Sequence, residues 1–244
     1  MIKDKTIAAI IVAAGKGLRM GAETPKQYLI LASDIVLAHT LAAFEGSKVD
    51  SIVVVCPEGD EDYVQQYVVR DRFPKVKSIT GGGKKRFDSS YAGIKAACGL
   101  YESGGPDFIM VHDGVRPLVS PQLINCVGEA LLAYPAVCPG VKAKETVRTV
   151  NSDEIATSVP DRSMLRIIQT PQGFETGLIL KAYERFFEDT AKDPAKADGV
   201  TDDAMLVERY MQQSVFVAEG SYENIKITTP EDLFLAEAIL SRRY

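Results

Sequence analysis

The first 135 residues alternate between two hydrophobic patterns. Short, unbroken apolar runs rich in β-branched residues predict strands that are buried on both faces of a parallel sheet. Longer segments with apolar residues at helical spacing lie between these runs. The predicted strands are residues 7–13, 51–56, 76–80 and 107–112, and the predicted helices are residues 35–46, 59–70, 87–102 and 121–133. This alternation predicts βαβ units, and hence an α/β fold with a Rossmann-like, mainly parallel sheet and helices on both faces.

A different pattern in residues 142–170 predicts a β-hairpin. Thr, Val and Ile alternate there with polar residues on both sides of a turn signal at residues 151–153. A two-stranded hairpin is marginally stable in water by itself, so we expect this one to be an arm that packs against something else. We interpret residues 1–244 as a single domain that carries this arm.

The C-terminal region predicts a loop and a helix. Residues 189–203 are rich in Lys, Asp, Ala, Pro and Gly and are interpreted as an exposed loop. Thr229-Pro-Glu-Asp is a typical helix start, with Thr229 as the N-cap and Pro230 in the first helical position. The buried face of this helix is predicted to consist of Leu233, Ala236 and Leu240.

Composition narrows the function classes. The chain has 244 residues, 46% apolar and 25% charged, with a net charge of −5, which argues against a nucleic-acid-binding protein. No apolar run approaches the ~18 residues of a membrane span. The cysteines have no C-x-x-C spacing, which suits a reducing cytosol. We therefore expect a soluble cytoplasmic protein whose partners include neither nucleic acid nor membrane.

The loop after the first strand has the chemistry of a phosphate site. Gly15-Lys-Gly-Leu-Arg-Met-Gly21 follows the apolar run, and Lys26 lies just beyond it. Small residues let the backbone approach a polyanion, cations neutralise it, and α/β sheets bind ligands at the carboxyl ends of their strands. The loop is not a dinucleotide fingerprint, because Met20 stands at the third glycine position, and it is not a P-loop. The alternative is a glycine-rich turn with solvated cations.

Three later clusters have the same character. Gly81-Gly-Gly-Lys-Lys-Arg-Phe-Asp-Ser89 joins a strand to a helix whose free amides favour an anion or a ligand carbonyl. In His112-Asp-Gly-Val-Arg-Pro117, Asp113 is a candidate Mg²⁺ ligand or else a turn acid, and His112 is interpreted as a hydrogen-bonded packing residue. Lys226 is predicted within an edge-like strand, as an active-site cation or else as a surface lysine.

Together the clusters predict phosphoryl chemistry with a metal. No Ser/His/Asp arrangement is evident in the sequence. A phosphate monoester, with a second pKa of about 6, is ionised at neutral pH and needs no general base to act as a nucleophile. Positioning and charge stabilisation then suffice for catalysis.

In these motifs the chain resembles the 2-C-methyl-D-erythritol 4-phosphate cytidylyltransferases of the non-mevalonate isoprenoid pathway. The matching elements span nearly the whole chain in order: Ala13-Ala-Gly-x-Gly-x-Arg-Met20, Pro25-Lys-Gln27, Gly82-Gly83 with Arg86-x-Asp-Ser89, His112-Asp-x-x-Arg-Pro117, Asp161-Arg162, Thr170-Pro-Gln172, Thr201-Asp202 and Asn224-Ile-Lys-x-Thr228. The chain has Gly114-Val115 where the family more often has two alanines, from which we expect a small packing change. The resemblance implies a nucleotide-diphospho-sugar transferase fold, CTP and Mg²⁺ as reactants, and a homodimer.

The resemblance also implies roles for individual residues. Arg19 and Lys26 would bind the triphosphate and stabilise charge at the α-phosphorus, and Asp113 would carry the metal. The residues that would hold cytidine and its phosphates are Ala13, Ala14, Gly15, Gly83 and Ser89, with Arg116 supporting the site. The residues expected to bind the second substrate, a polyol phosphate, are Thr146, Arg162, Thr201 and Lys226. Thr146 and Arg162 would reach in from the partner subunit's hairpin.

Two rival interpretations stay open at this stage. One is a cytidylyltransferase for another polyol phosphate, such as ribitol 5-phosphate, which would share the CTP half of the site. The other is a non-catalytic, nucleotide-sensing subunit, against which the retention of Arg19, Lys26 and Asp113 together counts. The sequence also leaves open whether Asp202 or Glu223 assists the metal.

Overall fold

The computed structural model describes residues 2–15 and 24–243. The described strands are β1 (Ile7–Val12), β2 (Ile30–Leu31), β3 (Asp34–Ile35), β4 (Ser51–Cys56), β5 (Val76–Gly81), β6 (Phe108–Asp113), β7 (Ala136–Lys142), β8 (Thr149–Val150), β9 (Ala156–Ser158), β10 (Arg166–Ile168), β11 (Gln172–Glu175) and β12 (Phe216–Glu219). The helices are α1 (Val36–Glu45), α2 (Glu61–Tyr63), which continues as a π-helix (Val64–Val69), α3 (Arg86–Cys98), α4 (Pro121–Ala130), α5 (Thr176–Lys192), α6 (Asp203–Met211) and α7 (Pro230–Leu240).

An eight-stranded sheet is the centre of the described fold. Its strand order is β10-β7-β11-β6-β1-β4-β5, and β12 pairs with β7. The first four strands of the sheet along the chain, β1, β4, β5 and β6, are mutually parallel. Strand β11 runs antiparallel between β6 and β7, and β10 is antiparallel to β7. Since β12 is parallel to β7, six of the eight strands run in one direction, and only β10 and β11 run against them. The expected mainly parallel sheet is therefore confirmed.

Helices cover both faces of this sheet, as predicted. Alternate residues of β1 enter two different cores, with Ile7, Ala9 and Ile11 on one face and Ala8 and Ile10 on the other. Side chains of α1 and α4 pack in the first core, and side chains of α3, α5 and α6 pack in the second. Both faces of β1 and β6 are covered by other residues. A ligand can therefore reach polar residues of these segments only at the ends of the strands, and the candidate site lies at such an end.

The hairpin is shorter than the pattern predicted. Within residues 142–170, β8 and β9 pair with each other away from the main sheet, and their side chains are exposed. Lys142 belongs to β7, and β10 pairs with β7 in register Arg166↔Lys142. The predicted range of 142–170 was therefore wrong at both ends. Lys142 and residues 166–168 belong to the main sheet, where the longer strand β7 offers more hydrogen bonds than a short hairpin.

The C-terminal elements agree with the sequence only in part. The predicted loop at 189–203 begins later than expected, because α5 continues to Lys192. The expected start of α7 is confirmed, with Pro230 in the first turn and the Asp232 carboxylate accepting from the backbone of Thr229 at 2.9 Å. No helix in residues 2–15 and 24–243 is long and apolar enough to cross a membrane.

Candidate active site

Two adjoining cavities open at the carboxyl edge of the parallel strands. The first has a volume of about 920 Å³ and is lined by residues from the ends of β1, β5 and β6. The second, of about 260 Å³, lies on the side of β10 and β11. Both cavities are lined by Arg86, Asp113 and Lys226. Groups bound in the two cavities would therefore meet at these three charged side chains.

Backbone, rather than large side chains, forms much of the first cavity. The predicted residues Ala13, Ala14, Gly15, Gly83 and Ser89 all line it. A Cβ atom on Gly82 would lie 2.4 Å from the Ala14 Cβ, so the two loops approach more closely than any side chain there allows. The Ser89 hydroxyl accepts from the Gly83 amide at 3.1 Å and ties the β5–α3 loop to its helix.

The turn that carries Lys26 is held against the segment that carries Lys226. Lys26 begins a short 3₁₀ turn, Lys26–Tyr28, and its Nζ donates to the Ile227 carbonyl at 3.0 Å. The Tyr28 hydroxyl donates to Asp60 Oδ2 at 3.0 Å, which anchors the other end of this turn. Lys26 lines the first cavity, as predicted. The predicted Arg19 lies outside the described residues.

The carboxylate of Asp113 is surrounded by three cations. Its Oδ2 lies 2.9 Å from Lys226 Nζ and 3.5 Å from Arg116 Nε, and its Oδ1 lies 3.2 Å from Arg86 Nε. Burial by itself raises the pKa of Asp113, but Arg86, Lys226 and Arg116 outweigh it and hold the pKa well below its usual range. Asp113 is thus ionised throughout the physiological pH range and orients three positive side chains around the junction of the cavities.

His112 fixes the end of β6 behind this carboxylate. Its Nε2 faces the Arg116 carbonyl at 3.5 Å, and because a carbonyl only accepts, Nε2 carries the proton. Its Nδ1 then accepts from the Thr170 hydroxyl at 3.0 Å, and the Thr170 oxygen accepts from the Asp113 amide at 3.2 Å. The interpretation of His112 as a hydrogen-bonded packing residue is confirmed.

This neutral histidine predicts a pH dependence of stability. Burial lowers the pKa of His112 from 6.5 to about 3. Between these two pH values the imidazole is protonated in the unfolded chain but neutral in the folded chain. Stability is therefore lost as the pH falls below 6.5, by about 2 kcal/mol between pH 7 and pH 5. Urea unfolding at several pH values should show this slope, and His112→Gln should flatten it. Coincident slopes for the two proteins would contradict the assignment to His112.

The segment that carries Lys226 is not a strand. It crosses the site as irregular backbone, with the Ile227 amide donating to the Val115 carbonyl at 2.9 Å. Arg116 Nη1 donates to the Asn224 carbonyl at 2.8 Å, and the buried side-chain Nδ2 of Asn224 donates to the Thr170 carbonyl at 2.9 Å. The predicted edge strand was wrong, because these single hydrogen bonds to three different partners replace a strand ladder.

The predicted residues for the second substrate are divided between two places. Thr201 and Lys226 line the second cavity, together with Arg116 and Asp202. Thr146 and Arg162 are exposed in the hairpin region and line neither cavity. Arg162 Nη1 donates to the Lys144 carbonyl at 3.0 Å. Within this chain, the hairpin residues and the cavities are therefore separate.

Two side chains that line the cavities, Arg86 and Gln172, were not assigned a role from the sequence. Arg86 is the last of three consecutive cations, Lys84-Lys85-Arg86. The sequence does not show which of the three lies at the junction of the cavities, whereas in the structure α3 begins at Arg86 and places its side chain there. Gln172 lines the second cavity, and its Nε2 donates to Asp202 Oδ2 at 2.8 Å. The sequence signal for Gln172 was its place in the motif Thr170-Pro-Gln172, two residues after Thr170.

The acidic residues allow only a minimal metal site. Among the described residues no group of three His, Cys, Asp or Glu side chains is arranged to hold a metal ion. Glu58 and Asp113 line the first cavity, and Asp202 lines the second. Mg²⁺ commonly takes one or two carboxylates and completes its shell with water and substrate phosphates. Asp113 fits that donor set as a single ligand, although the ion would share its oxygens with three cations.

The described fold, with two adjoining cavities at the carboxyl edge of a mainly parallel sheet, is that of the nucleotide-diphospho-sugar transferases, and it places the chain among the nucleotidyltransferases. Within that class, residues 7–242 match the model of the 2-C-methyl-D-erythritol 4-phosphate cytidylyltransferase family, and the chain belongs to this family.

Relatives of this family are similar over nearly their whole length. The chain is 43% identical over 241 residues to the 2-C-methyl-D-erythritol 4-phosphate cytidylyltransferase of Pelotomaculum thermopropionicum, covering 97% of this chain and 95% of the relative. It is 40% identical over 233 residues to that of Lachnospira eligens, covering 95% and 98%. The crystal structure of 4-diphosphocytidyl-2C-methyl-D-erythritol synthase from Anaerococcus prevotii superimposes with a TM-score of 0.81 at 33% identity, covering 97% of this chain and 99% of that one.

Proposed function

We propose that this chain transfers a cytidylyl group from CTP to 2-C-methyl-D-erythritol 4-phosphate in isoprenoid precursor biosynthesis. The products are 4-diphosphocytidyl-2-C-methyl-D-erythritol and pyrophosphate. The observation that carries this proposal is the sharing of Asp113, Lys226 and Arg86 by two adjoining cavities in a chain of the cytidylyltransferase family. An acceptor phosphate and the α-phosphorus of a nucleotide would meet at these side chains.

The reaction needs no deprotonation step. An oxygen of the acceptor phosphate forms a bond to the α-phosphorus, and the bond from this phosphorus to the bridging oxygen of the β-phosphate breaks. The electron pair leaves with pyrophosphate. Lys26 and Arg19 stabilise the charge on the triphosphate, and Lys226 orients the attacking phosphate, so that catalysis consists of alignment and charge stabilisation.

We further propose that Mg²⁺ accompanies the triphosphate. Asp113 is the side chain that would hold it, with the remaining ligands supplied by phosphate oxygens and water. When bound, the ion neutralises charge on the phosphates and on the leaving pyrophosphate. The described cysteines are unpaired, which supports a cytoplasmic location as part of the proposal.

The exposed hairpin supports a homodimer. Arg162 belongs to a family motif, and the resemblance implies a substrate role for Thr146, but both residues lie away from this chain's cavities. Side chains of Val147, Val150, Ile155 and Val159 in the same region are large and exposed. A two-fold dimer would cover them and place Arg162 in the partner's second cavity, where a guanidinium can bind phosphate with two hydrogen bonds.

Pyrophosphate release with CTP and one acceptor at a time tests the function. We expect turnover with 2-C-methyl-D-erythritol 4-phosphate and much slower turnover with ribitol 5-phosphate. Preference for ribitol 5-phosphate would overturn the acceptor but keep the cytidylyl transfer. CTP binding without turnover on any polyol phosphate would instead support the nucleotide-sensing subunit.

Mixing two inactive variants is predicted to restore activity if the site is shared. After subunit exchange between Arg162→Ala and Lys26→Ala, each heterodimer would have one site with both defects and one with neither. About half of the wild-type activity per heterodimer should then return.

The matched control for this mixing experiment pairs Lys226→Ala with Lys26→Ala. Both lysines line the first cavity of the same chain, so every heterodimer site keeps one defect and no activity should return. If the Arg162 mixture also restores nothing although exchange is confirmed, Arg162 serves its own subunit.

A further inference from the structure

A fully buried carboxylate lies behind the cavities and has no role in the reaction as written above. Asp203 is the first residue of α6 and has no exposed surface. Its Oδ1 accepts from the Tyr183 hydroxyl at 2.6 Å, and its Oδ2 lies 2.8 Å from Arg86 Nη1. A buried charge is costly unless it is paired. The arginine that faces Asp203 therefore offsets the cost of burying its charge.

The other side of the same guanidinium touches the junction of the cavities. Arg86 Nε lies 3.2 Å from Asp113 Oδ1, so one planar group bridges two carboxylates. Burial alone lowers the pKa of Arg86, but Asp203 and Asp113 outweigh it and raise the pKa above its usual value. A guanidinium has donors in a fixed fork, so the position of one carboxylate constrains the position of the other.

Asp203 is itself held by the sheet that carries Asp113. The Gln172 side chain accepts from the Ala204 amide at 3.0 Å and donates to Asp202, which pins the first turn of α6 to β11. Strand β11 pairs with β6 in register Gln172↔Val111, two residues before Asp113. Asp203 and Asp113 are thus connected in two ways. Gln172 and the pairing of β11 with β6 connect their backbones, and Arg86 connects their carboxylates.

We propose that Asp203 is a positioning residue for the transfer, which acts by holding Arg86 in the orientation that sets the Asp113 carboxylate between the two cavities. This inference rests on the proposed function. Without Asp203, Arg86 has Asp113 as its remaining carboxylate partner and competes with Lys226 for it. The alignment of the acceptor phosphate is then lost, while the glycine loops that hold the nucleotide are unchanged.

The test is a double-mutant cycle between Asp203→Asn and Arg86→Lys. Asp203→Asn should lower kcat by about tenfold or more with the KM for CTP changed less than about twofold, since misplacement of a reacting group acts mainly on kcat. Lysine keeps the charge of Arg86 but cannot bridge both carboxylates, so Arg86→Lys should cost a similar factor. Because Asp203 acts through Arg86, the double variant should be little worse than Arg86→Lys alone.

Two further variants separate positioning from general loss of structure. Asp107→Asn removes a carboxylate that pairs with Lys5 at 2.8 Å at the other end of β6, and its kcat should match the wild type. Tyr183→Phe keeps the ring, removes one hydrogen bond to Asp203, and should give a few-fold loss of kcat even if Asp203→Asn does not fold. Losses that multiply fully in the cycle, or a wild-type kcat in Asp203→Asn or in folded Tyr183→Phe, would overturn the proposal. An inactive wild-type protein would refute the proposed function instead.

Discussion

Replacing Lys26 by alanine is expected to lower kcat by about 10²–10³, equivalent to ~2.7–4 kcal/mol of transition-state stabilisation. Lys26 lines the first cavity, and it lies on a short turn that is anchored through Tyr28 to Asp60. A cation held in advance where phosphate charge develops needs no rearrangement during the reaction. The substitution removes that charge and one hydrogen bond to the Ile227 carbonyl, whose loss costs only about 1 kcal/mol of stability.

The measurement for Lys26→Ala is steady-state pyrophosphate release, with thermal unfolding followed in parallel. Lys196→Ala is the matched control, since Lys196 forms an exposed pair with Asp189 and lines neither cavity. It should retain wild-type turnover. Near-normal turnover in Lys26→Ala would return this lysine to the role of a solvated cation in a turn.

Asp113→Asn is expected to lower kcat/KM by about 10² or more, equivalent to ~3 kcal/mol. The substitution keeps the shape of the side chain but removes the charge that faces Arg86, Arg116 and Lys226. These cations, whose side chains are 12–35% exposed, then repel one another, and the loss of stability is smaller than the about 3–5 kcal/mol for breaking a fully buried pair. The change therefore acts on both the alignment of the phosphates and the fold.

A magnesium titration of the same variant distinguishes two roles of Asp113. If Asp113 holds Mg²⁺, its loss should move half-maximal activation to a much higher Mg²⁺ concentration. If Asp113 acts by arranging the cations, activity should fall at every Mg²⁺ concentration with little change in the midpoint. Wild-type activity with an unchanged Mg²⁺ requirement would reduce Asp113 to a turn acid. Asp107→Asn again serves as the control.

The parallel half of the fold was predictable because its signals are local. Strands such as β1 and β4 are unbroken apolar runs, and they need no knowledge of their neighbours to be recognised as doubly buried. The placement of Asp113 followed from the same reasoning, since a polar residue after a buried strand must lie at its carboxyl end. The helix start at Thr229 is equally local, because its capping groups are three residues apart.

Pairing between distant segments was less predictable. Residues 166–168 were assigned to the predicted hairpin, but they pair with β7, because a longer strand is available there. Lys226 was expected within an edge-like strand. Its segment is instead tied by single hydrogen bonds to Val115, Arg116 and Thr170, which the local pattern cannot reveal.

The sequence by itself determined the fold class, through its hydrophobic periodicity. It also determined the edge of the sheet where phosphate chemistry takes place, because the glycine-rich and charged loops follow the carboxyl ends of the apolar strands. These properties depend on near neighbours in the chain. The tertiary structure alone decided which charges meet: Arg86 lies between Asp113 and Asp203, although these residues come from β6 and from the start of α6. Coulombic and hydrogen-bonding partners depend on distances of a few ångströms between segments far apart in sequence, and only the packed sheet and helices define those distances.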